Sequence, residues 1–346
     1  MSPGMPKTSR ARPLRAVALG MLGLLALAAA VYAASHWYVV TRALPINADR
    51  IEFRVKSGAS VRAIAQAARS AGLGVDEWAL AGLARASGSA QRLRAGKYSV
   101  ERGTTLLGLL DMLRAGDVLR EKITIVEGIT FREMRALLAA SPELRQDSAQ
   151  MSAQQLLQAI GATEEHPEGL FAPDTYLYDA GSSDIDLWRQ AYRAQADVLQ
   201  AAWASRAGNL PYESPYEALI MASIIEKETG QPSERPMIGG VFVNRLKRGM
   251  LLQTDPTVIY GLGERFDGNL RKRDLVADGP YNSYTRAGLP PTPIALPGRA
   301  SIDAALRPAS TDALYFVARG DGSSQFSSTL DAHNRAVDKF QRGAGR

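Results

Sequence analysis

Two glutamates, Glu226 and Glu228, follow an apolar run in the segment Ser223-Ile224-Ile225-Glu226-Lys227-Glu228-Thr229. On a helix, at 100° per residue, Met221, Ile224, Ile225 and Glu228 share about one third of the circumference, and Glu226 projects about 160° from Glu228. A carboxylate held against apolar side chains has its charged form disfavoured and its pKa raised. Such a group suits general-acid chemistry near neutral pH. The same placement also fits an ordinary last-turn acid whose carboxylate reaches solvent, so the wheel leaves Glu228 open between the two roles.

Other chemistries lack their parts. There is no cysteine, hence no thiolate metal site, disulfide or thiol nucleophile. The three histidines, His36, His166 and His333, have no metal-binding spacing, and no Gly-x-Ser-x-Gly elbow accompanies them. Nucleotide loops of the Gly-x-Gly-x-x-Gly or Walker type are missing as well. What remains is carboxylate chemistry without metal or cofactor, on a neutral, hydroxyl-rich polymer. Of the net charge of +6, four charges are Lys7, Arg10, Arg12 and Arg15; no arginine stripe interleaved with aromatics follows, so nucleic acid is not an expected partner.

The helix carrying the acids has both ends written in the sequence. Ser214 and Glu217 form a capping box, Pro215 falls at the first helical position, and Gly230 supplies a left-handed stop. Upstream, a strand at Ile123–Ile125 leads to a helix through Leu138, and Asp186 to Ala204 reads as a long amphipathic helix. Downstream, Pro236 to Lys247 reads as a helix, with another opened by Asp255 as N-cap and Pro256 at its first position. The proline-rich stretch 279–298, with Tyr281 and Tyr284, has the character of an ordered loop lining a binding site.

At the front, residues 1–15 are basic and residues 16–38 predict a transmembrane helix; Ala16 to Ala34 runs nineteen residues without a charge. The basic flank places the N-terminus in the cytoplasm and the remainder outside a cell inner membrane, in the periplasm. A cleaved signal peptide is the alternative, although the apolar run exceeds its usual core of about 7–15 residues. Residues 50–120 twice repeat a strand, a Gly/Ser turn and a helix: Ile51–Val55 with Val61–Gly72, then Gly96–Val100 with Thr104–Leu113. This pattern resembles LysM-like modules that bind N-acetylated glycans. The expected fold class is α+β: a transmembrane helix, a LysM-like module, and a mixed α/β catalytic domain over residues 121–346.

The blocks Ala222–Thr229, Val243-Asn244-Arg245-Leu246, Leu252–Gly261, Tyr281–Thr285 and Gly288-Leu289-Pro290-Pro291 resemble, in order, the endolytic murein transglycosylase (YceG-like) family. The resemblance implies an inner-membrane enzyme that cleaves the β-1,4 bond between N-acetylmuramic acid and N-acetylglucosamine within nascent peptidoglycan strands, leaving 1,6-anhydro ends. Such an enzyme terminates strand elongation and acts beside penicillin-binding synthases. The family's catalytic glutamate, the one followed by threonine, maps to Glu228. Gln253, Thr254, Asn282 and Tyr284 are expected to bind the glycan, with Asp255 and Glu226 beside them; Asn282 capping a turn is the rival reading. A hydrolase using Asp255 to activate water, or a silent wall-binding scaffold, are the competing classes.

Overall fold

The structure, a computed structural model, describes residues 11–342. The start of the expected basic tail, with Lys7 and Arg10, lies outside the described residues. Helix α1 (Ala11–Thr41) contains the stretch Leu19–Thr41, of mean hydropathy 1.7, long and apolar enough to cross a membrane. Its leucines, Leu22, Leu24 and Leu27 among them, are exposed rather than packed as in the core helix of a soluble protein.

The chain then divides into two compact units. The first runs to Arg120 and takes in Asp179–Gly181. It holds β1 (Arg50–Val55), α2 (Val61–Ser70), α3 (Glu77–Ala86), β2 (Gly96–Glu101) and α4 (Leu106–Ala115). Alternation along β1 buries Ile51, Phe53 and Val55, as a half-buried strand requires. β1 and β2 pair antiparallel with Phe53 opposite Tyr98, their rings stacked at 5.7 Å. Ser60, Asp76 and Thr105 cap the three helices by accepting a first-turn N–H. Helix α3 breaks the expected twofold repeat. Its Leu80 and Ala84 are fully buried, so the segment between the halves supplies core instead of a linker.

The second unit comprises Glu121–Tyr178 and the chain from Ser182 on. Its elements are β3 (Arg120–Thr124), α5 (Phe131–Ala139), α6 (Ala153–Ile160), β4 (Thr175–Asp179), α7 (Asp184–Ala204), α8 (Pro215–Glu228), α9 (Arg235–Lys247), α10 (Asp255–Leu262), α11 (Lys272–Val276), α12 (Arg299–Leu306), β5 (Tyr315–Ala318), β6 (Ser324–Ser327) and α13 (Leu330–Val337). In this unit, among the described residues, strands occur only as the pairs β3–β4 and β5–β6, so the expected mixed α/β domain is a largely helical α+β unit. At its centre α8 is buried from Ala218 through Ile225 without interruption. Helices α9 and α12 pack on it, and Gly239 of α9 lets the two come close: a Cβ there would stand 2.6 Å from the carbonyl oxygen of Ala304.

Candidate active site

The start of α8 forms much as its sequence dictates. Ser214 accepts the N–H of Glu217 at 3.3 Å and Pro215 occupies the first turn. The box is only half closed, because the Glu217 carboxylate takes the N–H of Glu213 (2.7 Å). The exit differs from expectation. Thr229 is extended (φ −138°, ψ 134°) and Gly230 is not left-handed. Pro232 opens a 3₁₀ turn, and the residue before a proline is driven out of helical conformation, so the helix has stopped by then.

Since α8 is buried on every side from Ala218 to Ile225, a greasy face does not distinguish its two acids; their partners do. The Glu226 side chain is only 5% exposed and pairs with Arg235 at 2.8 Å. Its other oxygen accepts the N–H of Gly298 (3.0 Å) and the hydroxyl of Ser301 (2.7 Å), at the N-terminus of α12. Both oxygens are thus spent on protein, and the expected glycan-binding place of Glu226 gives way to that of a strut joining α8, α9 and α12. Glu228, at the helix end, keeps partial solvent access. One oxygen accepts the Thr254 hydroxyl at 2.7 Å, and among the described residues no other hydrogen bond reaches the carboxylate. Desolvation raises its pKa above the ordinary carboxylate value; the Thr254 bond opposes this, Asp255 adds to it and Arg245 opposes it.

Thr254 explains the selectivity of that contact. It is the N-cap of α10, one residue before the expected Asp255, yet its hydroxyl does not cap the helix; it turns to Glu228 instead. Its own N–H is held by the Ser283 hydroxyl at 3.0 Å. Gln253 just before it is exposed and left-handed (φ 50°), with its N–H on the Ser283 carbonyl (3.0 Å). A non-glycine residue in that region carries strain that persists only where the surroundings impose it. Asp255 accepts the Tyr284 hydroxyl at 2.6 Å. Asn282 is different. It is buried, its amide donates to the carbonyls of Asp274, Leu275 and Ala277, and its oxygen accepts the N–H of Tyr284. It clasps the 272–284 loop, so the turn-capping role fits it and glycan contact does not.

The structure therefore gathers Glu228, Thr254, Asp255, Gln253 and Tyr284 around one helix end, and sets Glu226 and Asn282 behind them as supports. Gly288–Pro291 lines a cleft with Glu213, Tyr216 and Ile220, at the opposite end of α8; a helix of this length separates the two by about 20 Å. Two residues escaped the sequence reading. Arg245, 8% exposed, faces the same site; its signals were its place in the block Val243-Asn244-Arg245-Leu246 and a cation among the apolar residues of that helix. Glu168 is another buried acid, accepting the N–H of Phe131 (2.8 Å) and the hydroxyl of Tyr260 (3.0 Å). Burial pushes its pKa up to about 7.

Comparison with known proteins agrees with the resemblance drawn from the motifs. A Bacillus subtilis (strain 168) protein named endolytic murein transglycosylase is 32% identical over 316 residues, covering 86% of this chain and 87% of the relative. A protein of the same name from Streptococcus pneumoniae serotype 2 is 26% identical over 94% of this chain and 65% of its own length. A crystal structure of a yceG-like protein from Listeria monocytogenes superposes with a TM-score of 0.54 at 28% identity, over 83% of this chain and 98% of that one. The YceG-like family model matches residues 53–339, and with it the chain belongs to the YceG-like family.

Proposed function

We propose that this protein is an endolytic peptidoglycan lytic transglycosylase with Glu228 as its acid and base. The observation that carries the reading is the Glu228 carboxylate: desolvated, free of any ion-pair partner among the described residues, and held by a single hydroxyl. The names of the Bacillus and Streptococcus relatives support the substrate class.

In the reaction, protonated Glu228 donates its proton to the glycosidic oxygen as the bond from C1 of N-acetylmuramic acid breaks and oxocarbenium character develops. The carboxylate so formed accepts the proton of the muramoyl C6 hydroxyl, whose oxygen bonds to C1. The products are a free N-acetylglucosamine hydroxyl and a 1,6-anhydro ring, and Glu228 ends protonated as it began. An internal nucleophile removes the need for the second carboxylate that hydrolases use on water, and ring closure gains from proximity. Gln253, Asp255 and Tyr284, on the rim of the site, are the residues we assign to the glycan. Thr254 holds the acid rather than the sugar.

The apolar stretch of α1 supports a single-pass membrane anchor, and we assign the catalytic unit to the periplasmic side of the inner membrane. The small α+β unit is assigned a LysM-like glycan contact, and the enzyme a terminator's place beside penicillin-binding synthases. The test is the detergent-solubilised full chain on uncrosslinked glycan strands, with products read by mass spectrometry. Anhydro-muramoyl ends are expected, and Glu228→Gln is expected to lower their yield by about 10²–10⁴-fold. Hydrated reducing ends would make it a hydrolase; cleavage undiminished in the variant would remove Glu228 from the chemistry.

A further inference from the structure

Arg245 is a buried cation whose hydrogen bonds among the described residues all go to backbone carbonyls. Burying a charge costs several kcal/mol unless its donors are satisfied, so the contacts it does make are informative. Its Nε donates to the Leu314 carbonyl (2.7 Å), and one terminal nitrogen donates to the carbonyls of Leu252 (2.7 Å) and Leu251 (3.2 Å). The guanidinium carbon lies 5.3 Å over the ring of Tyr315. Two of these carbonyls, those of Leu251 and Leu252, belong to the residues immediately before Gln253 and Thr254. That segment is thus pinned on both sides of its left-handed residue, by Arg245 before it and by Ser283 after it.

We propose that Arg245 is a positioning residue for the cleavage step, fixing the segment Leu251–Thr254 so that the Thr254 hydroxyl stays on Glu228 while its charge acts on that carboxylate. This rests on the reading of Glu228 as the acid. A guanidinium fits the task because its planar fork bonds two chain segments at once, which an ammonium on a flexible stem does not reproduce. The groups facing it are Glu228 from α8, Tyr284 from the 279–298 loop, Tyr315 from β5 and His333 from α13; Asp255 of α10 faces Glu228.

The test compares Arg245→Lys, Arg245→Met and Glu228→Gln in the full chain, reading kcat, KM, the pH profile and the melting temperature. A positioning role predicts a kcat loss of about tenfold in Arg245→Lys and about 10²-fold in Arg245→Met, the size expected of a misplaced catalytic group, with KM nearly unchanged. Protonated Glu228 starts the reaction, so activity falls as pH rises through its pKa. Without the cation the carboxylate is harder to form, and in Arg245→Met that fall moves to higher pH. In Arg245→Lys it stays in place. Should Arg245→Met not fold, Arg245→Lys decides alone. Arg245→Lys cleaving at the parent rate, or activity lost only in step with folded protein at an unmoved pH profile, would overturn the proposal while a silent Glu228→Gln left the acid standing. A Glu228→Gln protein that still cleaves would overturn both.

Discussion

A carboxylate that must hold a proton near neutral pH and then give up its place to a charge needs desolvation without a firm cationic partner. Glu228 meets that condition and Glu226 does not, for Arg235 and two further donors occupy both oxygens of Glu226. The Thr254 hydroxyl supplies the remaining adjustment, since a donor to the carboxylate favours its charged form. Thr254→Val keeps the shape and removes that donor, so the Glu228 pKa rises further and the basic fall of the pH–kcat profile shifts upward. An accompanying loss of about tenfold in kcat follows from a freer carboxylate. Stability should change little, because this hydroxyl does not cap α10. A profile identical to the parent's would show that the bond does not set the acid. The proposed role of Glu228 came from the family resemblance, and the partners that set it apart from Glu226 were not legible: a wheel assumes one wet face, and α8 has none between Ala218 and Ile225.

At the scale of elements, much was visible wherever local chemistry decides. Alternation gave β1, and Ser, Thr and Asp caps gave the helix starts in the first unit. Positions set by tertiary packing were not visible. Helix α9 reads as an ordinary amphipath around Val241 and Leu246, yet its contact with α12 is made by Gly239, through the absence of a side chain. In an exposed helix Gly→Ala stabilises by about 1 kcal/mol. At Gly239 the new Cβ would meet backbone at 2.6 Å, and backbone cannot swing aside as a side chain tip can. Gly239→Ala is therefore expected to destabilise by about 1–3 kcal/mol through overpacking, measured as a lower denaturant midpoint at unchanged slope. A raised midpoint would mean that α9 and α12 stand further apart. The same logic covers Asn282 and Glu226, whose roles lie in carbonyls and N–H groups brought from elsewhere in the chain.

For the molecule as a whole, Glu168 makes stability depend on pH in a direction opposite to that of a paired surface carboxylate. Glu168 titrates from about 7 in the fold, against 4.5 for a free glutamate. Between those values the unfolded chain releases a proton that the folded chain retains, so stability is greatest below about 4.5, falls as pH rises, and has lost its full increment above about 7. The gap corresponds to about 3 kcal/mol. Glu168→Gln removes the ionisation while sparing the contacts: its oxygen can accept from Phe131 and its amide can donate to the Tyr260 phenol, turned to act as acceptor. Unfolding free energies of parent and variant, measured between pH 4.5 and 8, should therefore converge at the acid end and separate by up to that amount toward pH 8, with the variant more stable. Glu228 and every other titrating group are common to both proteins and cancel in the difference. A difference that stays flat with pH would mean that Glu168 ionises as a free glutamate does, and that the contact between α10 and the start of α5 holds a charge.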